Sequence, residues 1–454
     1  MTDYFLELAK NPWAQKIAAK LPFSVSLPPV LNRKEVPWDD QELAGKTVLF
    51  VNIGGASSYV ESNLKKSVAS LSGKTITELS PDKKIAALVI DLGKAADVQD
   101  LANLYQTIHT YIKKIQTSGR LLIHWQKNAK NEAFEASLSA VVKSLGRELG
   151  KYGSTANLLL SESNAAGAAT QSALIWFLSD RSAFISGQVF YIENHSSTAQ
   201  QDLAMTALLA GRTAIVTGAA RGIGLLIARQ FRREGAHVIG IDHPSQSDSL
   251  KSEMDAIGAD VFLQDLADTN AVSNIKNLIH NGPGQIDIMI HNAGITKDRT
   301  IANMQASDWE RVMQVNYTFP SKMTMELLKP GSAIIPLIKE GGRIVNISSI
   351  VGIAGNFGQS NYAAAKGALI GHTKDMHKQK YGANINAIAC GFIETKMTEK
   401  IPPVMREIAR RMNALKQGGL PADVAETVLF LSSSLGSGIS GQTFRVCGLH
   451  PAGA

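Results

Sequence analysis

Thr217-Gly218-Ala219-Ala220-Arg221-Gly222-Ile223-Gly224 follows the apolar run Thr213-Ala214-Ile215-Val216 and precedes a stretch with amphipathic helical spacing. A glycine turn between a buried strand and a helix lets the backbone bend sharply. It also lets a pyrophosphate approach the N–H groups at the helix N-terminus. A glycine pattern alone says little. Here a second apolar run, His237-Val238-Ile239-Gly240-Ile241, ends in Asp242 about 20 residues further on, the context a dinucleotide-binding unit requires. Asp242 is placed to accept hydrogen bonds from both adenosine ribose hydroxyls and to repel a 2′-phosphate, so NADH is the expected cofactor. Arg221 argues for NADPH, because a guanidinium beside that ribose welcomes the phosphate. Asp265, in Gln264-Asp265-Leu266, follows the next strand and is expected at the adenine amine; a helix N-cap is the competing reading.

The same rhythm extends in both directions. Ile286-Asp287-Ile288-Met289-Ile290, Arg343-Ile344-Val345-Asn346-Ile347 and Asn384-Ile385-Asn386-Ala387-Ile388 read as further strands. Upstream, so do Thr47-Val48-Leu49-Phe50-Val51, Ala86-Ala87-Leu88-Val89-Ile90 and Arg120-Leu121-Leu122-Ile123-His124. Strands apolar on both faces and separated by helices imply parallel sheets covered by helices. The expected fold class is α/β, with two tandem Rossmann-like, doubly wound domains of which the N-terminal one is degenerate. Internal matches support a duplication: Gly45-Lys46-Thr47 with Gly211-Arg212-Thr213, Lys151-Tyr152-Gly153 with Lys380-Tyr381-Gly382, and Ile185-Ser186-Gly187-Gln188 with Ile439-Ser440-Gly441-Gln442. The expected domains are an N-terminal helix and extended arm (1–40), a degenerate Rossmann- or flavodoxin-like domain (41–200) and a catalytic domain (208–454), with a polar linker near Glu193 to Ala207. In the arm, Leu6, Leu8, Ala9, Trp13, Ile17 and Leu21 recur at helical spacing until Pro22, Pro28 and Pro29 rule out a continuing helix.

With 454 residues, 44% hydrophobic and 19% charged, the chain can bury two sizeable cores. Its net charge of +7 is spread out. That is no footprint of a nucleic-acid binder, but it suits an anionic carrier or a phosphate-bearing cofactor. Two cysteines, Cys390 and Cys447, make no disulfide framework, so a reducing cytoplasm is expected. Met1-Thr2-Asp3-Tyr4-Phe5 does not read as a signal peptide, and no apolar run is long enough for a membrane span.

Tyr362-Ala363-Ala364-Ala365-Lys366 opens a helix of small residues and puts a phenol and an ammonium on one helical face. A free phenol is a poor proton donor and acceptor at neutral pH, and a nearby ammonium is expected to draw its pKa down. Ile347-Ser348-Ser349 ends the preceding strand.

With these residues in place, 209–447 resembles the short-chain dehydrogenase/reductase family, on Thr217 to Gly224, Asn292-Ala293-Gly294, Asn316, Ser349, Tyr362, Lys366 and Gly391 to Thr395. The stretch Ser349-Ile350-Val351-Gly352 through Gly355-Asn356-Phe357-Gly358-Gln359-Ser360-Asn361-Tyr362 is similar to bacterial 3-oxoacyl-[acyl-carrier-protein] reductases, and the whole chain resembles their high-molecular-weight variant. The resemblance implies that Tyr362 protonates the substrate carbonyl oxygen, Ser349 fixes that oxygen, and Lys366 holds the nicotinamide ribose. It implies that Asn316 supports a proton-returning water chain, that Asn292, Ala293 and Gly294 line the cofactor, and that Ile393 and Thr395 meet its carboxamide and pyrophosphate. Asn316 also reads as a buried asparagine bridging two strands.

The implied reaction is reduction of a 3-oxoacyl thioester, on acyl carrier protein or coenzyme A, by a homodimer. A dehydrogenase acting on a hydroxyacyl-CoA or another secondary alcohol shares every residue, and a cofactor-binding scaffold without turnover is the reading from another class. Cys390-Gly391 departs from the family's Pro-Gly, and a small buried residue is the simpler reading of Cys390. Arg406, Arg410, Arg411 and Lys416 fall where the family carries its substrate lid, and read either as a solvated face or as a docking patch for an acidic carrier.

The first half lacks this chemistry. Aligning the repeats puts Gln126 at the place of Ser349, Ala133 at Tyr362 and Ser137 at Lys366, and puts Asn52, Ala56 and Ser58 at the three loop glycines. Gly54-Gly55 leaves room for a turn, and the domain reads as a scaffold.

Overall fold

The computed structural model describes residues 3–18, 27–54, 59–93, 95, 97–127, 131–162, 167–193, 205–329, 336–379 and 381–452. Leu21, Pro22, Ala56, Ser58, Lys380 and most of the expected linker lie outside the described residues. The chain forms two compact units. One is Met1–Met205 with Phe392–Asp423 and Cys447–Pro451; the other is Thr206–Gly391 with Val424–Val446 and Ala452–Ala454.

In the first unit the apolar runs become β1 (Thr47–Asn52), β2 (Lys74–Ile76), β3 (Ile85–Asp91), β4 (Ile115–Lys127), β5 (Thr155–Glu162) and β6 (Val189–Ile192). They form one parallel sheet in the order β2-β1-β3-β4-β5-β6. Side chains alternate across a strand, so Leu121, Ile123 and Trp125 face one side with Leu88, Ile90, Leu158 and Leu160. Leu104 and Ile108 of the helix Val98–Tyr111, and Phe134, Leu138 and Val142 of the helix Glu132–Gly150, cover that side.

The second unit repeats the plan with one more strand. β7 (Thr213–Thr217), β8 (His237–Asp242), β9 (Asp260–Leu263), β10 (Ile286–His291), β11 (Ile338–Ser349), β12 (Asn384–Cys390) and β13 (Thr443–Val446) lie in the order β13-β12-β11-β10-β7-β8-β9. Ile215, Ile239, Met289, Ile344 and Ile385 pack on Ile275 and Ile279 of the helix Ala271–Asn281 and on Phe319, Met323 and Leu327 of the helix Phe319–Leu328. The strand order reverses beside β1 and beside β7, and α/β sheets hold ligands at the carboxyl ends of the strands at such a point.

The internal matches have a physical basis. Ser186 Oγ accepts from Ala156 N at 3.2 Å, Asn157 Nδ2 donates to Ile185 O at 3.0 Å, and Gln188 N donates to Asn157 Oδ1 at 3.1 Å. In the second unit Ser440 Oγ accepts from Ile385 N at 3.2 Å, Asn386 Nδ2 donates to Ile439 O at 2.9 Å, and Gln442 N donates to Asn386 Oδ1 at 3.1 Å. The Ile-Ser-Gly-Gln turn clamps a strand beside it through one buried asparagine, with Gly187 and Gly441 at positive φ. Arg120 and Arg343 repeat too: each sends Nη1 to the carbonyls of the two residues before it, at 2.7 and 3.2 Å and at 2.6 and 3.3 Å.

Two expectations about the chain's course change. The N-terminal helix is broken in two, Tyr4–Lys10 and Pro12–Ala18, because Asn11 is extended and its Oδ1 caps the second helix at Trp13 N, 2.9 Å away. Trp13 stands exposed instead of lining a buried face. Phe392–Asp423, read as part of the C-terminal domain, packs with the first unit. Arg33 of the arm grips Asp423 through two hydrogen bonds of 2.8 and 3.0 Å, Gln417 Nε2 donates to Pro29 O at 2.7 Å, and Gly150 lies so close to Ala414 that a Cβ would stand 2.4 Å from Ala414 O.

Candidate active site

The site begins at the end of β7. Thr217 Oγ1 donates to Ile290 O at 3.1 Å and accepts from the N–H groups of Asn292 and Ala293 at 3.0 and 3.1 Å. Asn292 Nδ2 donates to Thr217 O and Gly218 O at 2.8 and 3.2 Å. Asn292 thus staples the glycine loop rather than reaching outward, and Thr217, not singled out in the sequence, is the hub of that staple. At Gly218 and Gly224 the loop has no room for a side chain. A Cβ on Gly218 would lie 2.8 Å from Asn292 Nδ2, and one on Gly224 would lie 2.1 Å from Gly218 O. The helix Gly222–Arg233 starts with no acidic residue in its first turn and no capping side chain from Arg221. Its first N–H groups therefore have no partner within the helix and suit a pyrophosphate. The loop and the open helix end fit a nicotinamide dinucleotide, which Gly218, Gly222, Ile223 and Gly224 would hold.

Asp242 ends β8 half-buried, with Ala220 N donating to Oδ2 at 2.9 Å and His243 N to Oδ1 at 2.8 Å. Each oxygen keeps a lone pair for a ribose hydroxyl. Arg221 is exposed. Asp265 is occupied on both oxygens: Oδ1 accepts from Ala267 N at 2.9 Å and Oδ2 from Arg311 Nη2 at 2.8 Å. Burial alone would raise its pKa, but the Ala267 N–H and the Arg311 guanidinium outweigh that and hold the carboxyl below its ordinary range. Leu266 points into the core, so a cofactor would meet it through its backbone.

Tyr362 and Lys366 lie in the first turns of the helix Ser360–Lys378. Ser349 ends β11 close to Tyr362, its Oγ accepting from Val351 N at 3.1 Å and donating to Cys390 O at 3.5 Å. Lys366 is 3% exposed; its Nζ donates to Ile347 O at 2.8 Å and stands 5.7 Å from the Tyr362 ring centre. Ser348 Oγ anchors this helix through Lys366 O at 2.8 Å. Asn316 sits in a π-helical turn, Gln314–Thr318, fully buried, its Oδ1 accepting from Ile295 N at 2.9 Å and its Nδ2 donating to Ile295 O at 2.8 Å. A Cβ on Gly294 would stand 3.1 Å from Asn316 Oδ1 and 3.4 Å from Lys366 Nζ. The bare glycine therefore lets the Asn292–Gly294 segment approach both Asn316 and Lys366. Ile393 and Thr395 fall in the other compact unit, in a turn where Thr398 Oγ1 donates to Ile393 O at 2.8 Å and accepts from Thr395 N at 2.9 Å.

The electrostatics differ from expectation. Burial pushes the Tyr362 phenol above its ordinary value; Cys390 and Asp298 push the same way and Ser349 opposes them. The lysine does not draw it down, because in the dry site the cost of a phenolate dominates. A phenol held protonated is the form that donates to a carbonyl oxygen. Burial also lowers Lys366 from 10.5 to about 8, with Cys390 opposing. Cys390 faces Ser349 across the β11–β12 register. Lys366 carries its charge below that value and loses it above. For carbonyl reduction, kcat/KM is expected to hold level up to pH ~8 and then fall with a single alkaline limb. A profile still level at pH ~9.5 would contradict this assignment.

The basic stretch beyond β12 is not an open patch. Arg410 is 4% exposed and binds Glu394 through Nε and Nη2 at 2.6 and 3.0 Å. Arg411 binds Asp3 at 2.6 and 3.0 Å, and Lys416 Nζ donates to Arg411 O at 3.1 Å. The charges of Arg410 and Arg411 are spent inside the unit. The outward side chains of the helix Pro403–Arg411 include Val404, Met405 and Ile408, which are apolar.

The family match and the related sequences agree with the glycine loop, the staple and the Ser–Tyr–Lys cluster. The family model described as enoyl-(acyl carrier protein) reductase matches residues 218–450. The chain belongs to the short-chain dehydrogenase/reductase family and is an NAD(P)-dependent oxidoreductase. Its C-terminal half is 39% identical over 247 residues to the 3-oxoacyl-[acyl-carrier-protein] reductase FabG of Thermotoga maritima, covering 53% of this chain and 98% of that protein. It is 37% identical over 248 residues to the FabG of Rickettsia bellii, covering 53% and 97%. A solved angucycline C-6 ketoreductase, LanV with bound NADP, aligns at a TM-score of 0.47 and 25% identity, over 53% of this chain and 95% of that one. Among the described residues no helix is long and apolar enough to cross a membrane.

Proposed function

We propose that residues 208–454 reduce the keto group of a 3-oxoacyl thioester, carried on acyl carrier protein or coenzyme A, to the 3-hydroxyacyl thioester, with NADH preferred over NADPH. The observation that carries the reading is the clustering of Tyr362 with Ser349 and with the buried ammonium of Lys366, whose Nζ stands 5.7 Å from the Tyr362 ring centre and within reach of Gly294. The thioester substrate rests on the names of the FabG relatives.

The bound dinucleotide supplies a hydride. Tyr362 donates its proton to the carbonyl oxygen, Ser349 holds that oxygen in line, and Lys366 holds the nicotinamide ribose and the positive potential that favours proton release. Asn316 fixes the Ile295 backbone beside Gly294 and so shapes the floor on which a proton-returning water chain stands. Gly218, Arg221, Gly222, Ile223 and Gly224 hold the pyrophosphate end, Asp242 the adenosine ribose, Asp265 and Leu266 the adenine, and Asn292, Ala293 and Gly294 the central stretch. The first unit performs no reduction, because Gln126, Ala133 and Ser137 stand where Ser349, Tyr362 and Lys366 would be needed. A cytoplasmic homodimer belongs to the same reading.

The test is a rate comparison of acetoacetyl-CoA and a longer 3-oxoacyl thioester, each with NADH and NADPH. Thioester-dependent NADH oxidation with about tenfold higher kcat/KM for NADH, a difference of about 1.4 kcal/mol, is the expected result. Turnover of simple secondary alcohols without any thioester turnover would overturn it. Asp242→Asn removes the charge but keeps an acceptor for the Ala220 N–H. It is expected to shift the NADPH-to-NADH ratio of kcat/KM upward by about 10- to 100-fold, since the ribose phosphate no longer meets a carboxylate.

A further inference from the structure

The first unit lacks the reductase residues but carries a different polar array at the same edge of its sheet. Asp91 ends β3 and lies directly opposite His124 of β4 in the register, while Ser161 of β5 stands two residues beyond His124's partner Leu159. By the alternation of a strand, all three side chains fall on one face. His124 Nδ1 is 2.9 Å from Asp91 Oδ1, and His124 Nε2 is 2.9 Å from Ser161 Oγ. A carboxylate only accepts, so Nδ1 carries the proton and Nε2 offers its lone pair to the serine hydroxyl. That is the tautomer in which an imidazole takes a proton from a nucleophilic serine. Gly93 N also donates to Asp91 Oδ1 at 2.9 Å, which fixes the carboxylate in turn.

The setting suits a reaction more than a packing role. Asp91 and His124 are 2% exposed and Ser161 is 6%, so the relay is dry and the serine is its most open residue. A buried carboxylate and imidazole contribute less to stability than well-packed apolar residues of the same volume would. The array lies at the carboxyl ends of parallel strands, next to the point where strand order reverses. The backbone there crosses as tightly as in the reductase site. A Cβ on Gly54 would lie 2.8 Å from Leu92 O and 2.9 Å from Gly93 Cα, as one on Gly218 would lie 2.9 Å from Ala293 Cα.

We propose that Ser161, His124 and Asp91 form a second catalytic site that hydrolyses activated acyl groups, as thioesters or oxyesters. Ser161 Oγ attacks the carbonyl carbon while His124 Nε2 takes the hydroxyl proton. The carbon–sulfur or carbon–oxygen bond breaks, and the leaving thiolate or alkoxide receives that proton from His124. Water, deprotonated by the same imidazole, then attacks the acyl-serine, releasing the carboxylic acid and restoring Ser161. Asp91 orients the imidazole and stabilises its charged form. The site is independent of the reductase reading, and either stands without the other.

The test uses the full chain with a fluorophosphonate probe read by intact and peptide mass, 4-nitrophenyl acetate as oxyester and acetyl-CoA as thioester. The expected result is one covalent adduct on Ser161 and hydrolysis that drops about 1000-fold or to the uncatalysed rate in Ser161→Ala. His124→Gln and Asp91→Asn are expected to fall in the same direction, with the melting temperature and the NADH-dependent reductase rate unchanged as controls on folding. Turnover of 4-nitrophenyl acetate alone assigns oxyesters; turnover of acetyl-CoA as well assigns thioesters. No adduct on Ser161, or an adduct with ester turnover equal in the parent and Ser161→Ala, overturns the proposal.

Discussion

Replacing Tyr362 by phenylalanine is expected to lower kcat for carbonyl reduction by about 10³-fold, within the range that a positioned general acid contributes. Cofactor affinity is expected to change little. The substitution removes one oxygen from a buried site in which that oxygen lies close to Ser349 and burial keeps it protonated. The ring, with Lys366 Nζ 5.7 Å from its centre, is retained. Steady-state rates of parent and variant with the same 3-oxoacyl thioester, together with a dinucleotide titration by fluorescence, separate the two effects. Equal loss of affinity and rate would mean that the phenol acts in binding, and a scaffold without turnover would show no rate to lose. Ser349→Ala is expected to cost less, because it removes a partner of the oxygen and not the proton itself.

Gly224→Ala carries the other large expected effect, for steric reasons. Its Cβ would stand 2.1 Å from Gly218 O and 2.4 Å from Asn292 Nδ2, both members of the staple that shapes the cofactor loop. Neither neighbour moves freely: Gly218 O is backbone, and the Asn292 amide is held by Thr217 O at 2.8 Å. The loop has to shift, at about 1–3 kcal/mol, as overpacking usually costs. Because the loop shift reaches the helix N-terminus, NADH affinity is expected to drop at least ~10-fold, or ~1.4 kcal/mol. Thermal unfolding with and without NADH reads both: the variant melts lower and loses most of the cofactor-dependent rise. An unchanged rise would show that the pyrophosphate is not held at this turn.

The sequence was informative where one residue type or one period decides the outcome. β1, β3, β4, β7, β8 and β10 to β12 contain runs of aliphatic residues buried on both faces, and such runs need no partner to be read. β2 has three residues and one aliphatic side chain, and β5 opens on Thr155-Ala156-Asn157, where the polar residue is buried because it clamps Ile185. No periodicity signals that. The Tyr362–Lys366 pair follows from helical spacing, but the direction of the tyrosine's pKa does not, since burial is a property of the packed site. By sequence Arg410 and Arg411 suit a solvated face or a docking patch, and neither shows the ion pairs with Glu394 and Asp3, which only folding brings to 2.6 Å. The sequence sets Asn292 against the cofactor, yet its side chain serves the loop, and Thr217, though part of the quoted stretch, carries no pattern that announces its role as the hub of the staple. Asp91, His124 and Ser161 sit on three separate strands, so no local motif announces them.

The most direct measurement is a single turnover in which enzyme saturated with NADH is mixed with a 3-oxoacyl thioester and absorbance at 340 nm is followed for the parent and Tyr362→Phe. A fast, stoichiometric loss of absorbance in the parent, slowed by about 10³-fold in the variant at full cofactor occupancy, is predicted. Loss at the same rate in both, or none in the parent, would contradict a phenol that delivers the proton as the hydride arrives.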